Sequence, residues 1–320
     1  MARIVPLDPA TYQRHRVHTG DRVWAETNCY SDVVIELLHG LGYEPLAAMP
    51  FTLTIDFDVD QWTFFKFPNG DVEDLYALGI HELAPWKPLA EHIEAHVGAG
   101  RPVMVELDSF YLPDTAGTAY GLAHVKSTVA VNEIDVAARR MGYFHNQGYY
   151  TLEGKDFLDI FQVEGLAHPR MLPPYIEFLK PIRNATALRG PALVEASLRL
   201  LRKHLARIPE QNPFRTFQAR FAEDVRGLGD IEAFHAYSFV TLRQYGACYE
   251  LASTYLRWLG EQGADVPGAD KLDQIAQGTK AYQFQLARAI VRRRSLDLGP
   301  LDGMAALWDA AMDDLVRRCG

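Results

Sequence analysis

Cys29 follows Thr27-Asn28 and precedes an apolar stripe at helical spacing, Val33, Val34, Leu37, Leu38 and Leu41, which stops at Gly40 and Gly42. Thr27 or Asn28 serves as the N-cap of such a helix, and Cys29 then sits in its first turn. A helix start presents unpaired N–H groups and a partial positive charge, which favour thiolate over thiol and can hold a developing oxyanion. A thiol nucleophile needs an imidazole as well, and a third group to fix that imidazole's tautomer. His124 heads the run HVKSTVAV, in which Val125, Val129 and Val131 share one face at period two. Asn146 lies in the aromatic, strand-like stretch Gly142 to Leu152. A hairpin across Glu133 to Arg140, turning symmetrically near Asp135, would set His124 and Asn146 opposite one another at hydrogen-bonding range. Each residue also has a plainer reading. A lone Cys beside an apolar helix is ordinarily a small core residue, His124 could cap a strand edge, and Asn146-Gln147-Gly148 could be a turn or bulge.

The elements that must position these residues divide the chain. The first half mixes helical patterns with strand-like runs such as Pro102 to Leu107, which leads into a polar loop, Asp108 to Gly121. From Pro173 onward the sequence reads as amphipathic helices: Pro191 to Arg207, Phe214 to Arg226, Ile231 to Leu259, Lys271 to Arg294 and Pro300 to Arg317. Pro209, Asn212-Pro213, Gly227 to Gly229, Gly263 to Gly268 and Gly299-Pro300 punctuate them. A Cys at a helix start, then a His, then an Asn or Asp on the next strand is the chain order of papain-type folds. The expected fold is α+β, a papain-like catalytic domain over residues 1–165 followed by an all-helical domain over 166–320.

Composition narrows the function classes. The 320 residues are 48% hydrophobic and 23% charged, the profile of a globular protein with a substantial core. With 32 basic against 41 acidic side chains the net charge is −9, which argues against sequence-independent nucleic-acid binding. No apolar run is long enough to span a bilayer, and the first residues lack the apolar centre of a secretory leader. Cys29, Cys248 and Cys319 form no paired framework, which fits a reducing cytoplasm. Cys248 sits in a helical pattern and reads as core packing, whereas Cys319 is expected to be exposed.

The stretches NCYSDVVIELLHGLGYEPLAAM, DQWTFFKFP, VMVELDSFYLPDTAGTAYGLAHVKSTVAVNEID and GYFHNQGYYTLEG resemble the bacterial family catalogued as domain of unknown function 1839, over nearly the whole chain. More distantly, the N-terminal half resembles the butirosin biosynthesis protein H family, whose papain-like cysteine domain moves an aminoacyl group from a carrier-protein thioester to an amine. The shared features are the helix-start Cys, Leu41 to Tyr43, the D-S-x-Y-L-P loop at Asp108 to Pro113, and the His before the hydrophobic strand. The resemblance implies Cys29 as nucleophile, His124 as general base and acid, and Asn146 as orienter, where the distant relatives more often carry Asp. It implies no bound cofactor, with phosphopantetheine only on a partner carrier protein, and a small amine acceptor. Papain-like peptidases place a Gln shortly before the Cys, and none stands here, so the Cys29 amide, Asn28, Thr27 and, from a distance, Gln61 are the oxyanion candidates. Asp108, Tyr111, Asp114 and Tyr120 are candidates to wall the substrate pocket. The helical half would serve acceptor recognition, carrier docking or a homodimer surface. A hydrolase of the same fold (amidase, thioesterase or peptidase) would use the same residues with water as acceptor, and a non-catalytic binding protein would keep the shell without the chemistry.

Other signals read as structural. His92 and His96 are four apart, but Ile93 stands where a zincin needs Glu, and no metal site is expected. Asp56, Asp58 and Asp60 alternate without calcium-loop glycines and read as a polar strand face or a pocket rim. Three basic clusters could dock an acidic carrier or be solvated helix faces: Arg14, His15, Arg16, His18 and Arg22; Arg199, Arg202, Lys203, His204 and Arg207; and Arg292 to Arg294. The glycines form no nucleotide-binding fingerprint.

Overall fold

The computed structural model describes residues 1–24, 28–162, 174–292 and 294–320. It has a sheet-rich N-terminal region and a helical C-terminal part, in two compact units. One comprises residues 1–19, 28–45 and 69–188, and the other residues 20–27, 46–68 and 189–320. The strands are β1 (Ala2–Arg3), β2 (Phe57–Asp58), β3 (Gln61–Trp62), β4 (Leu78–Glu82), β5 (Val103–Asp108), β6 (Lys126–Asp135), β7 (Arg140–His145), β8 (Gly148–Glu153) and β9 (Ile176–Pro181). The helices are α1 (Cys29–Gly40), α2 (Asn69–Tyr76), α3 (Leu89–Gly98), α4 (Lys155–Ile160), α5 (Gly190–Leu205), α6 (Pro213–Gly227), α7 (Ile231–Val240), α8 (Leu242–Glu261), α9 (Ala269–Val291) and α10 (Gly299–Cys319).

In the first unit the described residues form one antiparallel sheet in the order β4-β9-β5-β6-β7-β8, with β1 beside the far end of β6. Strand periodicity sorts its side chains onto two faces. Val103, Val105 and Leu107 of β5, Val129 and Val131 of β6, and Met141 and Tyr143 of β7 point to one face. There they form a core with Ala90, Ile93 and Val97 of α3 and Phe157 and Ile160 of α4. The alternate residues point the other way, where α1 packs across β6, β7 and β8. That packing is close at its far end, because a Cβ added to Gly40 would lie 2.5 Å from the Phe144 ring.

Three expectations need correction. The stretch 142–152 is not one strand. It belongs to β7 and β8, joined through Asn146 and Gln147, with Asn146 in the left-handed region at φ 46°. The β6–β7 hairpin does not turn near Asp135 either: Asp135 pairs with Arg140, the turn lies beyond them, and a register shift follows between Val131 and Glu133. The pairing ends at Val129 with His145, so Asn146 is not opposite His124, and His124 precedes the first residue of β6. The helix expected over Ile231 to Leu259 is broken at Thr241, whose hydroxyl donates back to the Tyr237 carbonyl at 2.7 Å, a bond that competes with helix continuation.

In the second unit the β2–β3 hairpin packs its aromatic side chains among the helices. Trp62 lies 4.6 Å from the Tyr245 ring, 5.4 Å from Phe214 and 5.5 Å from Phe217, centroid to centroid. Trp24 is buried against Gly246, where a Cβ would meet the indole at 2.7 Å, and its Nε1–H donates to the Ala276 carbonyl. Among the described residues no helix is long and apolar enough to cross a membrane.

Candidate functional site

Asn28 caps α1, its side-chain oxygen accepting the Ser31 amide at 2.8 Å, and Cys29 is the first residue of the helix. At that position the backbone N–H has no acceptor within the helix. The Cys29 thiol is half-buried and lies 3.8 Å from Thr128 Oγ1, on the sheet face that α1 covers. Glu106 pairs with Thr128 across the β5–β6 ladder, and Asp108 pairs with Lys126, so all four side chains share that face. Lys126 Nζ and Glu106 form an ion pair at 2.7 Å.

His124 lies just beyond this row. Its Nδ1 is 2.6 Å from Asp108 Oδ2, and its ring stacks on Phe110 at 4.4 Å and 10°. Asp108 also accepts the Phe110 amide at 3.0 Å, so one carboxylate shapes the turn and holds the imidazole. The bond to Asp108 puts the proton on Nδ1 and leaves Nε2 as the basic nitrogen, on a side chain that is 67% exposed. Cys29 and His124 are not in hydrogen-bond contact. Four residues of chain separate His124 from Thr128, a span of up to about 13 Å when extended.

Next to Cys29, Tyr30 donates to Glu177 Oε1 at 2.8 Å, and Tyr175 donates to Glu177 Oε2 at 2.8 Å. Burial and the Glu177 charge push both phenols up, so they remain protonated donors. Tyr175 and Glu82 also line a cavity of 440 Å³. One carboxylate thus joins the residue after Cys29 to the wall of an open space.

Two family models match the sequence, the DUF1839 N-terminal domain over residues 13–181 and the DUF1839 C-terminal domain over residues 190–317. The chain belongs to the DUF1839 family. No curated protein matches it.

The DUF1839 N-terminal domain treats the other expected site residues differently. Asn146 occupies the β7–β8 turn, and Asp108 is the carboxylate on His124. Thr27 lies outside the described residues. Gln61 pairs with Asp58 in the β2–β3 hairpin of the other compact unit. Tyr120 donates to Asp156 at 2.9 Å, and half-buried Tyr111 packs on the sheet core, so both tie the 108–121 loop to the protein. Asp114 accepts Tyr143 Oη at 2.5 Å and lies 2.6 Å from His145 Nδ1. His145 Nε2 in turn lies 2.7 Å from Ser127 Oγ, a chain that the sequence reading missed. The available signal was parity: Ser127, Val129 and Val131 share a face, and His145 pairs with Val129.

The remaining candidates settle into structural roles. Cys248 is fully buried, its thiol pushed well up by burial, and Cys319 is half-buried rather than exposed. His92 accepts the amides of Trp86 and Lys87, and the His96 ring lies tilted against Phe178, 4.3 Å between centroids. Asp56 precedes β2 and Asp58 ends it, and burial raises the Asp56 carboxyl. The N-terminal basic cluster is divided, with Arg14 and Arg16 exposed and its histidines inside. His15 and His18 are buried, His18 between Glu36 and Asp32 of α1, and Arg22 faces Glu250 at 3.2 Å.

Proposed function

We propose that this protein is a cysteine-dependent acyltransferase with a papain-like N-terminal domain. The observation that carries the reading is the Asp108–His124 pair, which presents a basic Nε2 at the margin of the face on which Cys29 sits. In this reading Cys29 Sγ gives its proton to His124 Nε2 and attacks the carbonyl of an acyl or aminoacyl thioester, the Cys29 amide holds the oxyanion, the thioester C–S bond breaks, and the pantetheine sulfur takes that proton as it leaves. The acceptor amine then attacks the Cys29 acyl-enzyme, His124 Nε2 takes its proton, and the Cys29 thiol is regenerated. Asp108 holds the imidazole tautomer throughout. Catalytic contacts that are long in an unliganded site commonly close with substrate, and exposed segment 121–126, which carries His124, is the part that must move toward Sγ. The thioester would come from an acyl or aminoacyl carrier protein.

Free pantetheine released from aminoacyl-pantetheine is the test, followed by chromatography with and without an amine. Wild type should release it, Cys29→Ala should not, and His124→Ala should be slowed by about 10²-fold or more. Full turnover by Cys29→Ala would end the reading. Release without any amine product, at the same rate with and without amine, would mean hydrolysis on the same residues.

A further inference from the structure

The face of the sheet opposite Cys29 carries a second constellation. Ser127 Oγ is 2.7 Å from His145 Nε2, and His145 Nδ1 is 2.6 Å from Asp114 Oδ2. Asp114 Oδ1 accepts the Tyr143 hydroxyl at 2.5 Å. Tyr143 donates to Asp114, and with Asp114 as a carboxylate the His145 Nδ1–H donates to it too, which leaves His145 Nε2 as the acceptor for the Ser127 hydroxyl. Nucleophile, base and orienter therefore stand in the order and geometry that activate a serine. Apolar residues at 114, 127 and 145 would complete the surrounding core without the cost of burying a carboxylate.

Ser127 adjoins an exposed segment. Residues 121–126 are exposed, and Ser127 is the first buried residue of β6, with 7% of its surface open. The β6–β7 ladder starts only at Val129 and His145, so Ser127 lies beyond its end, joined through His145 to Asp114 of the 108–121 loop. The confined setting suits a short acyl group.

We propose that Ser127, His145 and Asp114 form a second nucleophilic site, one that takes short-chain carboxylic esters and is independent of Cys29. Ser127 Oγ bonds to the ester carbonyl carbon as its proton passes to His145 Nε2. The C–O bond to the leaving alcohol breaks, the alcohol takes that proton, and acyl-Ser127 remains. Water attacks the acyl-enzyme, losing a proton to Nε2, which returns it to Ser127 Oγ as the carboxylic acid departs. Asp114 stays ionised throughout.

Diisopropyl fluorophosphate, applied to the full-length protein with peptide mapping of the product, tests this. The expected result is a single phosphoryl adduct on Ser127, absent from Ser127→Ala and formed about 10³-fold more slowly in His145→Gln, alongside hydrolysis of p-nitrophenyl acetate lost in step. Natively folded wild type that gains no adduct on Ser127 overturns the proposal, and so does labelling of Ser127 at an unchanged rate in a folded His145→Gln. An adduct confined to Cys29 would also overturn it while leaving the cysteine reading intact, because the two peptides are distinct.

Discussion

Three thiols in one chain differ in what surrounds them, and reactivity should follow. Burial pushes the Cys248 thiol far up and the Cys319 thiol up. Cys29 is half-buried at a helix start. Iodoacetamide at neutral pH, with peptide mapping over time, should therefore modify Cys29 first, Cys319 later and Cys248 only on unfolding. Equal rates at Cys29 and Cys319 would make Cys29 an ordinary thiol. Asp108→Asn separates positioning from folding in the same way. The Asp108–His124 pair is 36% and 67% exposed, so its loss should leave thermal stability nearly unchanged, as surface pairs do. Pantetheine release should fall by about 10²-fold or more, since the imidazole loses the partner that fixes its tautomer. Unchanged release would remove Asp108 from the site. The helix start at Cys29 was legible, because capping residues and apolar spacing are local signals, whereas His124, read as the head of a strand, precedes β6 by two residues. The histidine's partner was not legible, since Asp108 reaches it from the end of β5, and the β5–β6 pairing that brings them together spans a long loop whose course no local signal sets.

At the scale of the element, α1 is held by contacts its apolar stripe did not disclose. Asp32 and Glu36 lie one turn apart on its buried side, and both hydrogen-bond His18, while Tyr12 donates to Glu36 at 2.5 Å. Burial lowers the His18 pKa, but the bonds to Asp32 and Glu36 and their charges outweigh it, so the imidazolium is favoured above its ordinary range. A raised folded-state pKa contributes stability fully below about pH 6.5 and loses it as pH rises through the folded value. Urea unfolding from pH 6 upward should thus show wild type weakening with pH. His18→Ala should be less stable by about 3–5 kcal/mol at the acid end, with that slope removed. A flat wild-type profile would contradict a charged His18. At the other end of α1, Gly40→Ala must push Phe144 aside, and overpacking of this kind costs about 1–3 kcal/mol, measurable in the same titration. A sequence scan reads His15 and His18 as basic surface because it cannot see that Glu44 faces the one and Asp32 and Glu36 of α1 face the other.

At the scale of the whole molecule, a sheet-rich first half and a helical second half were readable from the change in periodicity along the chain. The composition of the compact units was not, because residues 20–27 and 46–68 return to the helical unit across a long stretch of sequence. Their aromatic residues complete its core, with Trp62 among Phe214, Phe217 and Tyr245, and Trp24 against Gly246. A fragment of residues 190–320, although it matches a whole family model, should therefore lack a packed aromatic core. It should bind a hydrophobic dye and show a weak near-ultraviolet dichroism signal. A native-like near-ultraviolet spectrum from that fragment would show that the early segments are dispensable. If α1 and the β5–β6 margin bring a thiol nucleophile and an imidazole base to one face, intact mass spectrometry will register the acyl-enzyme they form. After brief exposure to an aminoacyl-pantetheine and an acid quench, the protein should carry one added aminoacyl mass, mapped to Cys29 and gained far more slowly by His124→Ala. An unmodified mass, or an adduct mapped to any other residue, would contradict this arrangement.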